Sequence, residues 1–405
     1  EGIHYLTLAA NQNYSDAQYN LGIIYYDGKY VPQNINKSFH FFKLASDQNN
    51  SQAQYNLGAI FYEGIYVQRD IQKAIHYFAL AAKSNNLDAM FNLGTIFYEG
   101  KYVSKDLQKA IHYLSLASVH KHVKAQYNLG IIYYNEMHDI NNAIHYLSLA
   151  SDQNHSQAQL KLGVLYYEGR YIPKDIDKAI RYFSLSANQN NASAEYYIGR
   201  IYFEGKYVQK DIRKALYFLT RAANQHISSA QSFIGRIYYQ GIYVKRDINK
   251  ALQYLDLAAN KNNSEALFLL GEIYHRGDFV QKDIKRAIHY YNLASNVNNI
   301  YAQFNLGIIY MQKKYEIQNI NKAIYYFSLC SNQNNIFAQL ILAEIYYEGE
   351  YVTKNITKAI YYYSLAAKNG NYIAQLNLGL IYYEGQHVPK DISKAIHYLS
   401  LSSNQ

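Results

Sequence analysis

The stretch AQYNLGAIFYEGIYVQRDIQKAIHYFALAA, Ala53 to Ala82, decides the fold of this chain. Ala53, Leu57, Ile60 and Phe61 stand at i, i+4, i+7 and i+8, one apolar stripe of a 3.6-residue period, and so predict a helix. Gly58 sits beside that stripe, where the missing side chain lets a partner helix come close. A mid-helix glycine costs about 1 kcal/mol relative to alanine, which tight packing must offset. The helix stops near Gly64, Tyr66 and Val67 form an apolar loop, and Asp70 is placed to cap a second helix. That helix presents Ile71, Ala74, Ile75, Phe78 and Ala81 on one face, and the polar turn Asn85-Asn86 ends the motif.

The motif returns along the whole chain. Its first alanine, called A below, recurs at Ala17, Ala53, Ala89, Ala125, Ala158, Ala194, Ala230, Ala266, Ala302, Ala338 and Ala374. Every interval is 36 residues except one of 33, between Ala125 and Ala158. Glycine follows at A+5 in ten of the eleven repeats, with Ala343 the exception. A period of this kind predicts an all-α fold: an α/α superhelical solenoid of about eleven two-helix repeats at residues 17–405, preceded by a half repeat at 1–16. The residue four before A is asparagine in eight repeats, and elsewhere Gly370, His226 and Lys121; all but lysine tolerate a left-handed helix end well. Glu1 falls inside a second helix and the chain stops just after Leu401 in another, so the array reads as a segment of a longer protein.

AQYNLGIIYYDGKYV, Ala17 to Val31, followed by the recurring KDIxKAIHYxxLAA pattern resembles the Sel-one-like repeat family, relatives of the tetratricopeptide repeats. The resemblance covers essentially the whole chain. It implies a right-handed superhelix with a concave surface lined by the first helices, no catalysis, no cofactor, and protein or peptide partners. Regulatory arrays attached to a protein-kinase domain are the alternative that the family offers, and an RNA-binding helical-repeat protein is a third reading.

Composition fits a binding scaffold. With 49% hydrophobic and 17% charged residues the chain can bury a core. No run approaches 18 apolar residues, as a membrane span would need. The net charge of +9 tolerates an anionic partner without requiring one, and nucleic acid is the less favoured partner. Cys330 is alone, which fits a reducing, cytoplasmic compartment; seven NxS/T sequons keep an endoplasmic-reticulum or secreted location as the alternative.

Signals for chemistry are weak. Gly94 to Lys101 misses phosphate-loop spacing by one residue and has Tyr102 where serine or threonine would hold magnesium. Ser118-Val119-His120-Lys121 matches SxxK once, with no companion motif. His120, His122, His138 and His155 flank the short repeat and read as loop or surface residues rather than metal ligands. Lysines before the helix-B alanine, such as Lys73 and Lys109, follow Asp70 and Asp106 by three residues, as a cap with an ion pair requires. Glutamates at the end of the first helix, from Glu63 to Glu384, need a compensating partner against the helix dipole.

A ligand surface is expected opposite the core stripe of the first helices, at A+2, A+6 and A+9. Aromatics dominate there, including Tyr196 at A+2 and Phe203 and Tyr239 at A+9. Asparagine at A+3 (Asn20, Asn56, Asn92, Asn128) could hold a peptide backbone or be satisfied within the array. Position A+6 turns charged in repeats six to eight: Arg200, Arg236 and Glu272. The candidate patch is Arg200 and Arg236 with Phe203 and Tyr239, bounded by Glu272; the competing expectation is that Arg236 and Glu272 pair with each other.

Overall fold

The structure is a computed structural model that describes residues 1–313 and 317–403. Twenty-three α-helices and no strand occupy the described residues, beginning with Gly2–Asn11 and ending with Ile392–Ser403. Two compact bodies divide the chain, Glu1–Ala194 and Glu195–Gln405. Within each body the first helix of a repeat, helix A, packs on its own helix B, and helix B packs on the next helix A. Repeat two shows the pattern, with helix A at Ser51–Glu63 and helix B at Ile71–Lys83.

The closest approach lies at the A+5 glycine. A Cβ built on Gly58 would stand 2.6 Å from the Phe78 ring, and one on Gly199 would stand 2.6 Å from Cγ of Leu219 and 3.1 Å from the carbonyl oxygen of Ala215. Both large partners are fully buried. This contact repays the helix propensity that glycine loses. In repeat one Ser38 takes the place of the helix-B alanine, and its hydroxyl donates to the carbonyl of Gly22 at 2.8 Å, so the buried polar atom is satisfied.

Turns follow the expected chemistry. All eleven residues four before A have positive φ, Lys121 at 61° included, so the position and not the residue type sets the conformation. In the turn before repeat two, Asn50 N–H reaches back to the Ala45 carbonyl at 3.1 Å, a Schellman closure around left-handed Asn49. Asn50 then caps helix A, its Oδ1 accepting from the N–H of Ala53. Helix A ends on left-handed Gly64, and Asp70 caps helix B by accepting from the N–H of Lys73. The Lys73 ammonium returns to Asp70 at 3.3 Å, the i+3 pair expected from spacing. The short repeat four closes differently. Its helix A, Val123–Asn135, has no glycine cap, left-handed His138 makes the turn, and Leu147 still packs against Gly130.

A buried amide pairing went unread in the sequence. Glutamine at A+1 donates to a carbonyl of the preceding helix B, as Gln54 does to Ser46 at 3.3 Å. Its Oε1 can accept from a glutamine at the end of its own repeat's helix B: Gln48 to Gln18 at 2.7 Å, Gln189 to Gln159 at 2.8 Å, Gln333 to Gln303 at 2.7 Å. Where that terminal residue is Ser84, Lys261 or Asn369, the Oε1 atoms of Gln54, Gln231 and Gln339 are buried without a partner. Repeat six carries a charged version. Buried Glu195 replaces the glutamine and meets Arg221 at 2.7 Å and Gln225 at 3.0 Å. Arg221 stands where the other ten repeats have leucine. Burial pushes the Glu195 carboxyl up, and Arg221 and Gln225 act against that rise.

Ser84→Gln should supply the missing donor to Gln54 and raise stability by about 1 kcal/mol in denaturant unfolding; no gain would show that solvent already serves this atom. Gly199→Leu should break the A/B contact of repeat six, by about 1–3 kcal/mol or more. Its hydrogen exchange should rise in repeats six and seven and leave repeats ten and eleven protected, because coupling runs only through neighbours.

Candidate functional site: the groove along the A helices

Three cavities open on the face expected from the helical wheel. In the first body, one of about 290 Å³ is lined by Ile23 and Tyr26 of repeat one and by Tyr55, Asn56 and Ala59 of repeat two, with Asp27 and Glu63 at its rim. In the second body, about 710 Å³ lies among Phe268, Glu272, His275 and Arg276 of repeat eight, Phe304 and Asn305 of repeat nine, and Phe337 of repeat ten. A third, about 240 Å³, is bounded by Met311, Ile341, Glu344 and Glu348. Their lining recurs at A+3, A+6, A+9 and A+10, and Phe42 and Tyr291, the side chains that pack on Gly22 and Gly271, stand in the walls of the first two.

The candidate patch in repeats six to eight is built differently from expectation. Arg236 pairs with Glu265 at 2.8 Å, and Glu272 pairs with Arg276 in its own helix, so Arg236 and Glu272 do not pair with each other. The physical reason is direction: helical side chains lean toward the N-terminus, which carries Arg236 to the first turn of the next A helix, where Glu265 stands. Arg200 pairs with Glu204 at 2.8 Å and stacks over Tyr196. The Phe203 ring lies between Phe233 at 4.9 Å and Tyr243 at 5.2 Å, and Tyr239 is partly buried beside Phe279. The aromatic half of the patch therefore also holds adjacent repeats together.

The A+3 asparagines divide. Asn128 donates to the Thr95 hydroxyl at 3.4 Å, Asn92 is hydrogen-bonded to the Tyr55 hydroxyl, and Asn305 donates to the Tyr291 hydroxyl at 3.2 Å. Asn20 is exposed and Asn56 lines the first cavity. Of the six glutamates ending the A helices, Glu204 finds its cation one turn back in the same helix, not in a neighbouring repeat.

The remaining chemical signals resolve into structure. Gly94 is mid-helix against Leu114, and Ser118 is a buried residue near the end of helix Leu107–Val119. Burial pushes the Cys330 thiol up to about 12, which disfavours the reactive thiolate. His122 and His155 are N-caps: each Nδ1 accepts from the N–H three residues on, Ala125 and Ala158, at 3.2 Å. His155 also stacks on Tyr127 at 4.6 Å. Both occupy a position that is asparagine in seven other repeats, the signal that could have identified their role. Among the described residues, no three His, Cys, Asp or Glu side chains are grouped to hold a metal ion, and no helix is long and apolar enough to cross a membrane.

Paired antiparallel helices, left-handed turns and a repeating groove define a helical-repeat solenoid of the tetratricopeptide-like class. The Sel1 repeat profile matches twelve segments, from 1–14 and 15–50 through 336–371 and 373–405, and the chain belongs to the Sel1 repeat family, whose arrays typically serve as protein-interaction scaffolds. Among solved structures it is similar to c5321, described as a protective antigen of uropathogenic Escherichia coli with an SLR fold. That match has 25% identity and a TM-score of 0.75, and covers 99% of this chain and 86% of that one. A Sel1 repeat protein from Oxalobacter formigenes matches at 25% identity with a TM-score of 0.61, over 75% of this chain and 88% of that one. No curated protein matches the chain.

Burial and nearby Lys124 hold the His155 imidazole below its ordinary pKa. Only the neutral ring can accept through Nδ1, so the cap contributes fully above about pH 6.5 and is lost as pH falls through the lower folded value. The melting temperature of His155→Asn should consequently fall less than that of the wild type between about pH 7.5 and about pH 5. Equal falls would remove the histidine cap as a pH-sensitive element.

Proposed function

We propose that this chain is a non-catalytic adaptor that binds protein or peptide partners along the concave face lined by its A helices. The observation that carries this reading is the recurrence of aromatic-lined cavities at the same positions, one in each body. Aromatic side chains offer large contact area at low entropic cost, and asparagine amides and paired charges at the rim supply direction. Membership of a family of interaction scaffolds supports the same reading. Arg200 and Arg236 belong to this surface as a second region of contact. Each already has a carboxylate partner, so an acidic ligand would have to exchange with Glu204 and Glu265.

Affinity capture with the chain, followed by mass spectrometry, should yield proteins that wild type retains and that groove variants lose. The double variant Arg200→Ala/Arg236→Ala, with folding checked by circular dichroism, should weaken a captured partner that uses this region by more than about 2 kcal/mol. Unchanged capture by this and by variants at Tyr55 and Phe268 would overturn the A-helix face as the binding surface.

A further inference from the structure

One position breaks pattern on the surface rather than in the core. The residue at A−1 is polar in the first eight repeats, from Asp16 to Glu265, and then becomes Tyr301, Phe337 and Ile373. Tyr301 and Phe337 are 66% and 68% exposed, although each lies within the array. Both line the cavity of about 710 Å³, together with Phe268 and Phe304. The Phe268 and Tyr301 rings are 5.7 Å apart, so the wall is continuous and aromatic.

Charge at the rim of this cavity is also unlike the rest. Position A+10 is acidic in seven repeats, and Arg276 is its one cation. Arg276 is paired with Glu272 but remains 58% exposed, and Lys282 lines the same cavity. Two repeats further on, the neighbouring cavity of about 240 Å³ has the opposite rim, Glu344, Glu348 and Glu350. Burial and the adjacent Glu348 push the Glu344 carboxyl up, as expected where negative charges crowd. The surface from repeat eight to repeat ten thus runs from cationic, through aromatic, to anionic.

We infer that this surface binds an extended peptide that presents an acidic residue to Arg276 and Lys282, an aromatic or long aliphatic side chain to the cavity walled by Phe268, Tyr301 and Phe337, and a basic residue to Glu344 and Glu348. The inference rests on the adaptor reading and gives it one partner chemistry. Helices in contact lie about 8–10 Å apart, so two repeats separate the charged rims by about 20 Å. An extended chain rises about 3.3 Å per residue, which sets the acid and the base about six residues apart. Complementary charge at both ends fixes the direction of the peptide, and the reversed order would meet repulsion at each rim.

The test is selection of displayed random peptides of about a dozen residues on the whole chain, with synthetic peptides then measured by fluorescence anisotropy. Enriched sequences should carry acid, apolar residue and base in that order. Tyr301→Ala/Phe337→Ala, both exposed and so removable without loss of folding, should weaken them at least about tenfold. Arg276→Glu should abolish the preference for the acidic residue. Peptides that bind the double variant unchanged, or that bind equally with acid and base exchanged, would overturn this site while leaving the adaptor function standing. Self-association of the chain that the double variant abolishes would assign the patch to a second copy instead. Failure of the folded chain to enrich any peptide would overturn both readings.

Discussion

The contact between a glycine on helix A and a large apolar side chain on helix B is the constraint on which the rest depends. With Gly58 against Phe78, or Gly271 against Tyr291, the ring of helix B lies so close that a Cβ at A+5 would stand 2.6 Å or 2.5 Å from it. Phe42 and Tyr291, the side chains that lie against Gly22 and Gly271, also line the cavities of about 290 and about 710 Å³. The same large side chains thus serve both the contact between helices A and B and the wall of the groove. Ala343, which stands for the glycine in repeat ten, is fully buried and keeps its place in the core.

Polar order within the array has a similar economy. Asparagine before helix A both takes the left-handed turn and, one position later, caps the helix; Asn49 and Asn50 divide these tasks. Glutamine at A+1 joins the preceding helix B to the end of its own repeat through two hydrogen bonds, one to a carbonyl and one from an amide. Buried polar atoms in such a chain are costly unless paired, which makes each terminal glutamine more than a surface residue. Repeat six shows that this position can change chemistry if both sides change together, since Glu195 arrives with Arg221. Repeats three and eight avoid the requirement altogether by placing Met90 and Leu267 there.

Charge divides along the faces of the molecule. Lysines at the start of the B helices are tied to their caps and lie over A+8 rings, as Lys73 lies 5.3 Å from the Phe61 centroid. Such cations are local elements of helix ends more than a track for a polyanion. The A-helix face instead carries acidic termini, interrupted at Arg276. Within the second body that interruption coincides with the cavity of about 710 Å³ and with the exposed rings of Tyr301 and Phe337, three features that the helical period alone does not require.

The sequence by itself determined the helices, their ends and the repeat. Periodicity and cap chemistry act within a few residues, so Ala53, Gly58, Gly64 and Asp70 could be assigned from spacing alone, and the groove positions followed from 100° per residue. Partners across repeats were decided only by the tertiary structure. Arg236 and Glu272 stand 36 residues apart at equivalent positions, which made their pairing look natural; side-chain direction sent Arg236 to Glu265 and left Glu272 to Arg276. His155 looked like a loop residue until its ring nitrogen met the N–H of Ala158. The exposure of Phe337 could not be read from its type, because an apolar residue at a helix start is buried or exposed according to how its neighbours splay. Spacing along one helix is a local quantity, whereas which face two helices leave open depends on how closely their backbones meet.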